Sequence, residues 1–588
     1  MPHIQPSSSG TGLAEDNEQQ IPIDVQGKSP SMRERDDDKD SADFPNEGAQ
    51  HGVQMVEAVT LAWTKQTLGT AYILMWLLYF VNGFNQSITG NLAAYITSEF
   101  EAHSLVPLIQ VVSSIMGAAT YMPLAKILNL WDRSVGFSLM VAFATLGLIL
   151  AASCKSIGVY CASQVFYSIG FTGMTFAIDV ITADTSTLRD RGLAYAFTSS
   201  PYIITAYAGP TVAAKFYENN WRWAYGAFAI ILPIIATPLV LIMAYARRQA
   251  KAKGLLPPTP EASGRTIFES FKHYIIELDV LGTFLLLAGL VLLLIPFNLA
   301  GSSANGWSQD YIIAMLVLGV VCLFAFGLSE KFLAPVPFLQ WDILRSRTVM
   351  GACALDVCYQ VSYYCWLSYY TSFLQVNSGQ SLEVAGYISS IFDVVSGIWL
   401  FVVGFAIKKT NRFRWILYWA VPLYMLGQGL MIYFRKPDQA VGYLIMCQIF
   451  LAFAGGAMII VQQVAVLAAS DHQNAAGSLA FLGVFGNVGG AVGGSVSGAI
   501  WQGTLPGALQ RYLPAESLPD WESIYEDLEL QLSYPKGTET RLAIEKAYSI
   551  AQKHMVICGT AVMALSLIWM FVIKDIKLDR KQTKGVLF

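Results

Sequence analysis

Tyr311-Ile312-Ile313-Ala314-Met315-Leu316-Val317-Leu318-Gly319-Val320-Val321-Cys322-Leu323-Phe324-Ala325-Phe326-Gly327-Leu328 contains no charged side chain. Wound as a helix with a rise of about 1.5 Å per residue, such a run nearly spans the roughly 30 Å hydrocarbon core of a bilayer. About fourteen stretches of this kind, each roughly 20 residues long, follow one another from Tyr72 to Ile573. They begin near Tyr72, Val106, Ser134, Ile157, Ala194, Trp223, Val280, Tyr311, Val349, Val384, Phe413, Val441, Ala475 and Met555. The chain therefore reads as an all-α integral membrane protein embedded in a lipid bilayer. Of its 588 residues 54% are hydrophobic and only 13% charged, a ratio that no single soluble core requires.

The charge is concentrated outside the spans. Residues 1–65 are polar and include Arg33-Glu34-Arg35-Asp36-Asp37-Asp38-Lys39-Asp40, so a disordered cytoplasmic tail is expected there. This tail lacks the apolar segment of a signal peptide, so the first span is expected to act as an uncleaved anchor. Lys126, Arg133, Arg189, Arg191, Arg247, Arg248, Lys408, Lys409, Arg412 and Arg414 fall on one side, and the short outer loops hold only Lys155, Lys215, Arg222, Arg435 and Lys436. By the positive-inside rule both termini lie in the cytosol, including the tail 574–588. Residues 247–277, with Pro257-Pro258-Thr259-Pro260, read as a cytoplasmic linker. The expected order is a six-helix half (66–246), the linker, two inserted helices (278–330) and a second six-helix half (349–573). Within the second half, residues 502–553 form a long outer loop containing Trp521, Tyr525, Tyr534 and Tyr548. Its length and aromatic spacing suit a small folded lid, with a solvated spacer as the alternative. The eight cysteines contain no CxxC pair, and Cys154 with Cys161 is the one pair close enough to bridge. Neither a zinc site nor a resident cofactor is expected. No nucleic-acid partner is expected either, and the chain reads as a monomer.

After the second span comes Ala125-Lys126-Ile127-Leu128-Asn129-Leu130-Trp131-Asp132-Arg133, and after the tenth Gly404-Phe405-Ala406-Ile407-Lys408-Lys409-Thr410-Asn411-Arg412. Both resemble the cytoplasmic loop motif G-x-x-x-D-x-x-G-R of the major facilitator superfamily, with Asn129 and Lys408 in place of its aspartate. Recurrence one half later, on the same side, points to duplicated halves. Ala206-Tyr207-Ala208-Gly209-Pro210-Thr211 and Trp221-Arg222-Trp223 are similar to segments of the superfamily's proton-driven members.

A narrower resemblance lies in Asp179-Val180-Ile181-Thr182-Ala183-Asp184-Thr185-Ser186-Thr187-Leu188-Arg189-Asp190-Arg191-Gly192-Leu193. Together with Gly83-Phe84-Asn85-Gln86-Ser87-Ile88-Thr89-Gly90-Asn91-Leu92 and the long outer loop, it resembles the siderophore-iron transporters of fungi from Lys65 to Lys574. That resemblance implies the major facilitator fold and import of ferric siderophores with protons, the two halves rocking about a central site. It leans toward filamentous-fungal carriers and hence toward a fusarinine-type chelate, with the plasma membrane ahead of an endosomal vesicle. A proton-driven drug or toxin exporter of the same superfamily and a siderophore-sensing receptor are the rival readings. No nucleophile–base constellation in the spans suggests an enzyme.

Three acids lie well inside predicted spans: Asp179, Asp356 and Asp393. A buried ionised carboxylate costs several kcal/mol, so each is a functional candidate. Asp393 is expected to carry the coupling proton, with Asp356 next. Asp179 lies near the cytosolic end beside Asp184, Arg189 and Arg191, and is expected in an ion-pair latch with them and with Arg133 and Arg412 of the loop motifs. In the ninth span Asp356, Tyr359, Tyr363, Trp366 and Tyr370 recur every three or four residues, with Gln360, Tyr364 and Tyr369 alongside. Phenols at that depth need partners, which a wet cavity supplies. In the superfamily the first and fourth helices of each half line the cavity, which implies the first, fourth, ninth and twelfth spans here. Asn85 and Gln86 on the first and Gln462 and Gln463 on the twelfth complete the expected substrate site, with Tyr534 and Tyr548 on the lid. The glycines of the thirteenth span, such as Gly486, Gly490 and Gly494, suit close helix packing. A neutral ferric trihydroxamate calls for amides and flat aromatic surface without metal ligands. A tricatecholate with three negative charges would call for buried Lys or Arg.

Overall fold

The computed structural model describes residues 63–130, 133–186, 189–255, 267–300, 305–335, 344–437, 439–470 and 475–578. The acidic run Arg33–Asp40, the prolines Pro257–Pro260 and the tail beyond Leu578 lie outside the described residues. The first half comprises α1 (Lys65–Glu99), α2 (Val106–Leu130), α3 (Arg133–Ala152), α4 (Ile157–Thr185), α5 (Arg191–Ser199, then Pro201–Asn219) and α6 (Trp223–Ala252). Next come α7 (Val280–Leu299) and α8 (Asp310–Leu333). The second half comprises α9 (Arg347–Leu367, then Tyr370–Ser378), α10 (Leu382–Ser389, then Ile391–Thr410), α11 (Arg414–Phe434), α12 (Val441–Ala468), α13 (Ala475–Tyr512) and α14 (Glu539–Ala564, then Ser566–Val572). Among the described residues, 12 helices are long and apolar enough to cross a membrane. The chain is an integral membrane protein. The two not in that set are α5 and α9, whose more polar composition sets them apart. Proline accounts for the break in α5, since Pro201 has no N–H to continue the ladder.

The packing obeys an approximate two-fold relation. In the first half α1 packs on α5 and α6, α4 on α2 and α3, and α3 on α6. In the second half α9 packs on α13 and α14, α12 on α10 and α11, and α11 on α14. Adding eight to each label of the first set reproduces the second. The two halves meet through α2 against α13 and α5 against α10, which the same operation exchanges. The inserted pair breaks the symmetry: α7 and α8 pack on each other, and α7 also lies on α2. Near its end, Asn298 O accepts from Gln502 Nε2 of α13 at 2.6 Å, so α7 touches both halves.

Glycine permits the tightest of these contacts. A Cβ at Gly489 of α13 would stand 2.8 Å from Val357 Cα of α9, so a side chain there would push the helices apart.

The segment expected as a loop over 502–553 is shorter than its sequence suggested. α13 continues to Tyr512 and α14 begins at Glu539, both beyond the predicted apolar limits. Between them the chain folds into helices Trp521–Glu526 and Leu528–Ser533. Ile524 and Leu528 of this cap are fully buried. The cap reaches the first half through Glu526 Oε2, which accepts from Ser104 N at 2.9 Å, and through Leu528 N, which donates to Ser98 Oγ at 3.2 Å. It reaches the second half through Arg541, whose Nη1 donates to Gln531 O at 2.6 Å. Burial raises the Glu526 carboxyl above the usual range, against the opposing pull of its Ser104 hydrogen bonds.

Candidate functional site

Between the halves lies a cavity of about 570 Å³, within the size range of small-molecule sites. Its walls come from α1, α2, α4, α5, α6, α9, α10 and α13. Phenols dominate: Tyr160, Tyr167, Tyr202, Tyr225, Tyr363, Tyr364 and Tyr369. Gln86, Asn91, Gln110, Gln164 and Asn487 add amides, and among the described residues Asp393 is the one charged lining residue. Among the described residues no Lys, Arg or His lines it. Part of the polar wall is already paired: Tyr167 donates to Asn85 Oδ1 at 2.8 Å, Gln110 Nε2 to Ser114 Oγ at 2.8 Å, and Tyr160 and Tyr225 share a bond of 2.7 Å.

A second cavity, of about 300 Å³, is lined by Asp179, Asp356, Gln360, Gln462, Gln463 and Tyr121 among others. Ser114, Tyr364 and Asn487 line both cavities and form the wall between them. Asp179 accepts from the Tyr79 hydroxyl at 2.5 Å.

The expected site residues thus divide. Gln86, Tyr363 and Asp393 face the larger cavity, while Asp356, Gln360, Gln462 and Gln463 face the smaller. Asn85 is fully buried behind the wall as the acceptor of Tyr167. Tyr359 packs edge-on against Tyr424, with centroids 5.5 Å apart, and the indole N–H of Trp366 donates to Tyr424 at 3.2 Å. Tyr370 lies beneath the guanidinium of Arg435, 4.7 Å from its centroid. The aromatic stripe is therefore split: Tyr363 looks into the cavity, whereas Tyr359, Trp366 and Tyr370 look toward α11 and its end. Adjacent helical faces share the same i, i+3, i+4 spacing, so periodicity alone could not choose between them.

Arg435, read from sequence as an outer-loop residue, is fully buried. It donates to the Trp366 carbonyl at 2.5 Å and to Gln552. Those bonds occupy the carbonyl end of the first piece of α9, and Gln552 Nε2 donates to Ser368 O at 3.1 Å. Between the two pieces of α9 sits Tyr369, with φ 58°, a left-handed conformation that costs a non-glycine residue of order 1 kcal/mol or more. Its ring stacks on Trp501 at 3.8 Å and its hydroxyl donates to Ser104 O of the first half at 2.7 Å. Neither lid tyrosine stands free at the cavity mouth. Tyr548 is fully buried and donates to Gln531 Oε1 at 2.5 Å, while Tyr534 packs against the core and lines neither cavity.

Contacts bridge the halves at both ends of the cavity. At the cap end Tyr95 donates to Gln375, and Thr211 Oγ1 to Glu383 Oε1 at 2.9 Å. At the basic end Lys408 pairs with Asp190 at 2.6 Å, and Arg189 Nε donates to Lys408 O at 2.9 Å. The expected latch is redistributed accordingly. Arg133 pairs with Asp184 at 3.1 Å within the first half, and Arg412 pairs with Asp575 within the second. Arg191 donates to the Ala183 carbonyl at 3.0 Å. Asp179 belongs to the second cavity, and Asp190 and Lys408 supply the crossing ion pair. Lys408 stands where the loop motif has its aspartate, a departure that could have drawn attention to it. Tyr167, Tyr202, Gln110 and Asn487 were also missed; Asn487, an isolated amide in a glycine-rich span, was the most visible signal. Among the described residues no three His, Cys, Asp or Glu side chains converge as metal ligands. Cys154 and Cys161 are free thiols.

Two pseudo-symmetric helical halves around a central cavity lined by phenols and amides, bridged by contacts at both ends, have the build of a solute carrier. The sequence profile of the Major Facilitator Superfamily matches residues 75–494. The chain is 66% identical to MFS siderochrome iron transporter D of Aspergillus fumigatus, over 93% of this chain and 91% of that one. It is 47% identical to siderophore iron transporter mirB of Emericella nidulans, over 94% and 92%. Among solved structures, the fold is shared with a bacterial homologue of the human lysosomal transporter Spinster (TM-score 0.52, 13% identity, 87% and 97% covered). The chain belongs to the Major Facilitator Superfamily and, within it, to the fungal siderophore iron transporters.

Proposed function

We propose that this protein imports ferric siderophores by alternating access, with inward proton flow as the driving force. One observation carries the reading beyond family membership: among the described residues, the larger cavity presents phenols, amides and hydroxyls with one carboxylate and no basic side chain. A neutral ferric trihydroxamate, whose ligand anions already balance and enclose Fe(III), needs hydrogen-bond donors and flat rings. A trianionic chelate would be repelled by Asp393 and would find no Lys or Arg in the lining. Iron travels only as the chelate, with no resident cofactor.

Transport then alternates two sets of contacts. The cap-end layer of Tyr95, Thr211 and Tyr369 opens to admit the chelate while Asp190 and Lys408 hold the basic end shut; the order then reverses. Asp393, facing the chelate, takes the proton on loading. The protein works as a monomer in the plasma membrane with its basic end and both termini in the cytosol.

The test is uptake of radio-iron-labelled trihydroxamate into fungal cells lacking their own carriers, with the gallium chelate as competitor. Accumulation that rises with external acidity is expected. Extrusion of the label, or binding without accumulation, would overturn the reading in favour of an exporter or a receptor.

A further inference from the structure

We infer that the helix Ile267–Glu277, which leads into α7, lies along the membrane surface with its apolar face seated in the lipid leaflet on the basic side. The helix is 11 residues long. At about 100° per residue, Phe268, Tyr274 and Ile275 fall within an arc of about 120°, with Glu269, Lys272, His273 and Glu277 around the remainder. Ile276 departs from that division, in the middle of the polar side.

The protein leaves the apolar arc uncovered. Phe268 is 75% exposed, and Tyr274 and Ile275 are exposed as well. Among the described residues the helix packs chiefly on the start of α7. A helix of this length does not hold together in water by itself, so its apolar face needs a cover. Lipid is the cover that the surroundings supply, because Val280, Leu281 and Phe284 of α7 continue the exposed apolar surface into the span. Glu269 and Glu277 offset Lys272, so the helix carries no excess of positive charge. Insertion of apolar side chains, rather than attraction to anionic headgroups, therefore holds it.

The junction with α7 fixes the helix at the edge of the membrane. Asp279 has the left-handed conformation φ 46°, ψ 56°, which breaks helical continuity between Glu277 and Val280 and turns the surface helix off the axis of α7. Its Oδ1 accepts from Gly282 N at 3.2 Å and caps α7. Both Asp279 and Glu330, in the last turn of α8, are buried. A Cβ at Gly282 would lie 2.2 Å from Asp279 Oδ2 and 2.7 Å from Glu330 Oε1, so those oxygens stand within about 5 Å of each other. Lys126 of α2 is attracted by both acids and by Glu277. The turn is thus held to α2 and α8 where those spans end, and the helix that precedes it starts from the level of the headgroups.

Two measurements on the full chain in lipid nanodiscs test this, and neither depends on what is transported. In the first, spin labels are placed singly at Phe268, Ile275, Lys272 and His273, with the native cysteines replaced. Labels at Phe268 and Ile275 should be more accessible to oxygen than to a water-soluble nickel chelate, and labels at Lys272 and His273 the reverse. The pattern should be the same in phosphatidylcholine alone and with phosphatidylserine added. Nickel access at all four sites would place the helix in water and overturn the inference. Shielding of Phe268 and Ile275 from both reagents would overturn it in favour of another segment or a second copy as the cover. A pattern that needs phosphatidylserine would overturn the apolar seat in favour of an electrostatic one. The second measurement is hydrogen exchange of the unlabelled protein. Amides of residues 268–277 should be protected in the wild type, and Phe268→Asp with Ile275→Asp should speed their exchange about tenfold or more while α7 and α8 keep their protection. Fast exchange in the wild type, or unchanged protection in the double variant, would refute the seat and leave the import reading untouched.

Discussion

Replacing Tyr369 by Phe should open the cap end. Its hydroxyl, on a residue only 3% exposed, donates to the Ser104 carbonyl across the interface of the halves at 2.7 Å. Phe keeps the ring stacked on Trp501 and the left-handed turn, so the change is confined to one hydrogen bond. In the closed form its loss leaves a buried carbonyl short of a donor, at a cost of about 1–2 kcal/mol. In the open form water reaches that carbonyl, so nearly all of the cost falls on the closed state. The ratio of closed to open carriers should therefore drop by a factor of roughly 5–30. Spin labels at Lys155, on the loop before α4, and Lys436, on the loop before α12, would report the change, with the native cysteines replaced. Both positions are exposed and lie at the cap end on opposite halves. A second, longer distance should gain population in the variant. An unchanged distance distribution would refute the assignment of Tyr369 as a tether between the halves.

Asp393→Asn should abolish concentrative uptake and its dependence on external acidity while chelate binding survives, read as accumulation against equilibrium binding in the same vesicles. Tyr363→Ala or Tyr364→Ala should weaken chelate binding by about 1–3 kcal/mol, as loss of an aromatic anchor commonly does. Tyr370→Ala should instead lower thermal stability, because Arg435 would lose the ring beneath it. Comparing binding isotherms with unfolding curves for the three variants checks both statements. For the cap, the raised Glu526 carboxyl means that docking favours the protonated acid. Docking is then strongest below the free carboxyl's range and weakens as pH rises through the raised value. Hydrogen-exchange protection over residues 521–533, corrected for intrinsic exchange rates, should fall with pH in the wild type and lose that dependence in Glu526→Gln.

Most of the architecture was legible because a bilayer leaves few choices. Backbone groups must be satisfied within helices, so apolar length marks the spans and basic loops set their direction. The repeated loops after the second and tenth spans announced two halves, and the packing follows that duplication in α1 on α5 and α6, α4 on α2 and α3, and α3 on α6, and in their counterparts. Composition also pointed to phenols and amides within the spans, and several of them, such as Tyr363 and Gln86, do line the larger cavity.

The assignment of individual side chains to that site was decided by tertiary structure. A helix rotates by about 100° per residue, so a few tens of degrees of rotation choose between Tyr363 in the cavity and Tyr359 against Tyr424. Arg435 looked like an outer-loop residue until the carbonyls at the break in α9 gave it partners. The latch failed to resolve for a related reason: an acid and a base near one membrane face have several possible partners, and only the approach of Gly192 to Gly404 brings Asp190 within reach of Lys408. Asp179 and Asp356 stand 177 positions apart in the chain. Sequence could weigh each carboxylate by its depth in a helix, but only the packing of α4, α9, α12 and α13 places both in one small cavity.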